Sequence, residues 1–234
     1  MKIAVVQHRL RETPAQDARA LVEAAGMAAA QGAELVILPE CLALHDRDSA
    51  DRALFKELLA GVSAFCLMPD VGLERAGSGF VAELPRGAGL PRKIGNAALL
   101  VGDGCITAED LAGVAAQRPE FAILAPRSEN DLQAEATLEL ALGLSLSLAG
   151  LVIIAECAGA EPGEPGHGGS AIILLGELIA EALDGDDLLF AEIPLPVVQP
   201  EPYEALPEVS PILIQRLAHH HGEKVPQPYP ADLS

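Results

Sequence analysis

Glu40 closes a short apolar run, Leu35-Val36-Ile37-Leu38-Pro39, and is the first side chain in the sequence placed to do chemistry. A carboxylate just past a buried strand is partly desolvated and available as a general base; the same residue in a plain turn is merely solvated. Cys41 follows it with no base beside it and reads as a small buried residue. His219-His220-His221 lacks the i, i+4 spacing and carboxylate partner of a metal site and reads as a solvated helix end. The glycine-rich stretch 163–169 carries no P-loop Lys. Asp184-Gly185-Asp186-Asp187 is too short for a calcium loop and lacks its terminal Glu, so it reads as a hairpin turn. Cys41, Cys66, Cys105 and Cys157 show no C-x-x-C pairing, so neither a metal nor a cofactor is expected.

Charge narrows the partners. The 234 residues carry 15 Lys+Arg against 34 Asp+Glu, a net charge of −19. Residues 128–215 contain no Lys or Arg and 16 acids. Phosphate contacts need clustered cations, and anionic membrane surfaces repel such a chain, so neither nucleic acid nor membrane is an expected partner. Half of the residues are hydrophobic but only 3% are aromatic, so the core must be Ala, Leu, Val and Ile. The longest uncharged run, 140–155, is broken by Ser and Gly and is shorter than the ~20 residues of a membrane span. Lys2, Arg9 and Arg11 bracket only a strand-like run, not a secretory signal, and a cytoplasmic protein is expected.

The elements that must carry these residues alternate. Residues 2–7 predict a buried strand, and Thr13-Pro14 caps a helix that runs to about Gln31, with Gly32 as its stop. Residues 34–38 predict a second strand, which makes a βαβ unit with parallel strands. Further strands are expected at 62–68, 94–101, 121–125, 151–156, 170–175, 178–182 and 188–193. Helices are expected at 49–59, 108–116 and 131–149, with a short one near 209–218. A hairpin is expected over 77–89, turning at Pro85-Arg86-Gly87, and a tighter one at Gly176-Glu177. In such α/β folds a site forms past the carboxyl ends of parallel strands, where Glu40, residues 102–105, Pro126 and Cys157 stand.

Two segments carry a family resemblance. KIAVVQ with a helix ending in AAAQGAELVILPE resembles the opening of the nitrilase, or carbon–nitrogen hydrolase, superfamily. Gly168-Gly169-Ser170-Ala171-Ile172-Ile173 followed by Gly176-Glu177-Leu178-Ile179-Ala180-Glu181 is similar to that family's paired strands, and AEIPL at 191–195 to the strand after them. The resemblance covers residues 1–200 and implies one α/β domain, an α-β-β-α sandwich, with 201–234 as a proline-rich tail. It implies a Glu–Lys–Cys triad acting on a small amide or nitrile, with Glu40 as base, Lys93 as the charge-stabilising cation and Cys105 as nucleophile. A count without gaps from the strand 121–125 puts Asp103, not Cys105, at the family's cysteine position. Cys157 follows Glu156, which stands where the family carries asparagine. A homodimer is implied as well, with the small-residue helices 18–30 and 138–149 as candidate surfaces.

Spacing raises an objection to the triad. A strand over 94–101 would be ~26 Å long, with Lys93 at its start and Cys105 beyond its end. The family's long excursion between lysine and cysteine is absent. Two readings follow: a divergent thiol hydrolase, or a catalytically silent homologue that keeps the fold for ligand binding or assembly.

Overall fold

In β1 (Lys2–Arg9) the apolar side chains divide by parity. Ile3 and Val5 belong to one hydrophobic cluster, Ala4 and Val6 to another. A period of two with apolar groups on both faces is what a strand between two layers requires. The computed structural model describes residues 1–39, 50–59, 61–67, 80–83, 96–101, 113–116, 119–126, 128, 130–159, 168–182 and 185–194.

The helix α1 (Pro14–Ala30) begins where its sequence dictates. Thr13 Oγ1 accepts from the Gln16 amide at 3.4 Å and Gln16 Oε1 accepts from the Thr13 amide at 3.2 Å, a reciprocal capping box. Ala18, Leu21, Ala25 and Ala28 recur at helical spacing and pack outside β1 and β2 (Leu35–Ile37). Gly32, at φ +85°, ends the helix as expected. Phe55 of α2 (Ala50–Leu59) joins the same cluster.

A five-stranded sheet has the order β11 (Asp187–Glu192), β1, β2, β3 (Phe65–Leu67), with the two-residue β8 (Cys157–Ala158) also on β1. β2 and β3 run parallel to β1 and β11 runs antiparallel. The second sheet has the order β10 (Glu177–Glu181), β9 (Ala171–Leu174), β7 (Leu151–Ile154), β6 (Phe121–Ala125), β5 (Asn96–Val101), β4 (Phe80–Glu83). In it β5, β6 and β7 are parallel. Ile3, Val5 and Ile37 meet Phe121, Ile123 and Ile153 between the sheets. Ala122, Leu124 and Val152 face the other way, onto Leu140, Ala141 and Leu144 of α3 (Asp131–Leu148). The layers are therefore helix, sheet, sheet, helix. Ala18, Ala25 and Ala28 of α1 and Ala141 of α3 face their own sheets, where they serve close helix–sheet approach.

The described residues bear on three further expectations and correct the last of them. Strand 80–83 pairs antiparallel with β5, Phe80 opposite Leu99 and Glu83 opposite Asn96, while the turn expected at Pro85-Arg86-Gly87 lies outside the described residues. Turn residues signal a reversal but do not choose the partner strand. Of the strand expected over 94–101, the described residues are Asn96–Val101, all in β5. The tight turn between β9 and β10 is Leu175-Gly176, not Gly176-Glu177: φ is +53° and +79° there, and Leu174 pairs with Glu177. Two positive φ values give the turn the twist that the flanking strands need.

Candidate active site

Val6 leads into Gln7 at the carboxyl end of β1, and both side-chain ends of the buried Gln7 are engaged. Its Oε1 accepts from the Ser170 amide at 2.9 Å, and its Nε2 donates to the Gly185 carbonyl at 3.1 Å. Ser170, also buried, donates its hydroxyl to the Glu156 carbonyl at 3.2 Å and accepts from the Glu156 amide at 3.0 Å. Glu156 Oε1 accepts from the Ser128 amide at 2.6 Å, and the residue is only 3% exposed. This polar chain runs from β1 in one sheet to the ends of β6 and β7 in the other. β8 follows β7 directly and pairs His8 with Cys157, so the carboxyl ends of β1 and β7 meet at one edge of the sandwich. Buried polar groups satisfied in this way hold an edge in a single arrangement.

The predicted site residues leave from the ends of the described strands. Leu38 and Pro39 are buried after β2, and Glu40 is next in sequence. Cys105 is four residues beyond Val101, the end of β5, and Lys93 is three residues before Asn96, its start. Glu40, Lys93 and Cys105 themselves lie outside the described residues, as do Asp103, Cys41, 160–167, Asp184 and His219-His220-His221. First to last Cα, six residues of strand span about 17 Å.

A second cluster, which sequence reasoning missed, adjoins this edge. His8 Nε2 lies 2.6 Å from Asp17 Oδ1 and Nδ1 lies 3.3 Å from Asp186 Oδ1, with His8 and Asp17 both 2% exposed. Asp17 Oδ1 also accepts from the Arg11 amide at 2.8 Å. Asp186 accepts from the Arg9 amide at 2.8 Å and pairs with the Arg11 guanidinium. Burial pushes the Asp186 carboxyl up, but the Arg9 amide, the Arg11 guanidinium and His8 outweigh it and hold it below its ordinary value. The signal was present: an even-numbered β1 residue must face α1, whose first turn carries Asp17. Among the described residues no group of three or more His, Cys, Asp or Glu is arranged to hold a metal ion, and no helix is long and apolar enough to cross a membrane.

No protein-family model and no curated protein matches this sequence. Solved structures do. An amidase from Nesterenkonia sp. superposes with a TM-score of 0.64 at 16% identity, over 83% of this chain and 90% of that one. The NitN amidase from Nesterenkonia sp. AN1 superposes with a TM-score of 0.64 at 17% identity, over 95% of this chain and 98% of that one. The fold is that of the nitrilase-superfamily amidases. In one structure of the Nesterenkonia amidase, the acetamide moiety of fluoroacetamide is covalently added at the active-site cysteine, and another is a complex with butyramide.

Proposed function

We propose that the chain is a carbon–nitrogen hydrolase for small amides, working by thiol catalysis through Glu40, Lys93 and Cys105. One observation carries the reading: Glu40 follows β2 and Cys105 follows β5, and these strands run parallel to β1 and β7, whose carboxyl ends share an edge. In this reading Glu40 takes the Cys105 proton, the thiolate sulfur bonds to the amide carbon, and the Lys93 ammonium offsets the charge developing on oxygen. The C–N bond breaks as the Glu40 proton passes to the leaving ammonia, which leaves a thioester. Water then gives a proton to Glu40, its oxygen bonds to the acyl carbon, and the sulfur leaves with the returned proton. The hydrolase-like domain would be residues 1–200, with 201–234 as a tail.

A second reading is favoured by the placement of Lys93 before β5 and Cys105 after it, with the strand's length of about 17 Å between their points of attachment. On that reading the chain keeps the fold for ligand binding or assembly. Fluoroacetamide labelling and ammonia release from butyramide separate the two. The hydrolase reading expects Cys105 to react at least about tenfold faster than Cys66 or Cys157, as a low-pKa thiol does, and Cys105→Ala to abolish ammonia release. Equal labelling of the three thiols with no ammonia leaves the silent reading. The proposal includes a homodimer, which a monomer mass by light scattering of the full chain would remove.

A further inference from the structure

The outer face of the five-stranded sheet is unevenly covered. Helices α1 and α2 pack over β1 and β2, while Leu188 and Phe190 of the edge strand β11 are only partly buried. Between α1 and the start of β11 lies an open groove of about 460 Å³. Val6, Ala24, Met27 and Leu188 contribute its apolar wall, and Met27 is 48% exposed. Glu23, Asp186 and Asp187 stand on its rim, where Arg11 is already paired with Asp186. Such a groove fits a partner that is apolar along one side and cationic at its end.

We propose that it receives the C-terminal segment 209–218 of the same chain. The chain leaves β11 at the end away from the groove, one strand length from Asp187: the Ile193 amide donates to the Met1 carbonyl at 2.9 Å and fixes the point of departure. Val209 stands fifteen residues beyond Pro194, a reach of up to roughly 50 Å. The strand that borders the groove, β11, is about 20 Å long. Val209, Ile212, Leu213 and Leu217 recur at i, i+3, i+4 and i+8, the pattern of one apolar helical face. Ser210 and Pro211 are an N-cap and first-turn pair that would start that helix, with Val209 as the apolar residue before the cap, and its eight residues, 211–218, would extend about 12 Å. Arg216 is the first Lys or Arg after Arg127, and Lys224 follows it, opposite in sign to Glu23 and Asp187. The inference is independent of the hydrolase reading.

The test places a photo-crosslinking benzoylphenylalanine at Met27, whose exposure leaves the core undisturbed, in full-length chains mixed from isotopically light and heavy stocks. Crosslinks from Met27 to peptides within 209–218, joining only light to light and heavy to heavy, are expected. Leu213→Asp should lower their yield by about tenfold, the population change that follows loss of one buried leucine. Light-to-heavy crosslinks would put the segment of a second copy in the groove and overturn the proposal. Crosslinks confined to other peptides, or none, would also overturn it.

Discussion

His8 and Asp17 show how much one side-chain pair can hold in place. Each is 2% exposed, and they meet at 2.6 Å across the junction of β1 and α1. Removing either partner of a buried pair strands the other, at a cost of about 3–5 kcal/mol. Asp186 extends the cluster to the turn before β11 and is more open, with 48% of its side chain exposed. Its folded carboxyl titrates below its ordinary value of 3.8, because the Arg9 amide, Arg11 and His8 together outweigh the effect of burial. A depressed carboxylate contributes stability that is present above the unfolded value and is lost as pH falls through the folded one. Asp186→Asn should therefore be less stable than the parent at neutral pH, with the gap closing as pH drops below 3.8. Urea unfolding across that range checks it; a gap independent of pH refutes the assignment.

At the scale of elements, the turn between β9 and β10 holds a bulky side chain in the left-handed region inside a two-residue loop. Leu175 has φ +53° and is 38% exposed, so little packing holds it there. A left-handed conformation costs a side chain-bearing residue ~1–2 kcal/mol, and glycine returns part of that as unfolded-state entropy. Leu175→Gly should raise stability by about 0.5–1 kcal/mol, read as an increase in urea midpoint; a lower midpoint would show that the Leu175 side chain contributes more than its strain. This turn also marks the limit of local signals. Thr13, Pro14 and Gly32 announced α1, and the apolar runs at 2–7 and 34–38 announced β1 and β2, because those signals act within a few residues. The pairing of β4 with β5, the two residues of β8 and the Gln7–Ser170 contact depend on partners far along the chain. Of the site, the carboxyl ends of the strands were legible from the βαβ pattern. The facing of His8 and Asp17 followed from strand parity, but the arrival of Asp186 was not legible, because it joins across 177 or more positions of sequence.

For the whole molecule, the uneven charge becomes a surface. The cation-free block 128–215 supplies α3, β7, β9, β10 and β11, and Glu135, Glu139, Glu177, Glu181, Asp187 and Glu192 are all exposed. β9 and β10 of one sheet meet β11 of the other, so the exposed acids of these strands gather toward one edge of the sandwich and repel one another there. Self-repulsion of this kind opposes the compact state and is screened by salt. The Debye length falls from ~30 Å at 0.01 M to ~8 Å at 0.15 M, so repulsion between exposed carboxylates farther apart than that is largely screened at the higher salt. The partly exposed Arg11–Asp186 pair weakens under the same screening and offsets part of the gain. Thermal stability should therefore rise between those ionic strengths by about 1 kcal/mol, or roughly 2–4 °C for a chain of this size. Glu177→Lys with Glu181→Lys places cations on the exposed edge strand β10 and should reduce that salt dependence. A melting temperature that is flat or falls with added sodium chloride would mean that these acids are already compensated, and that the block of missing cations has no energetic consequence for the fold.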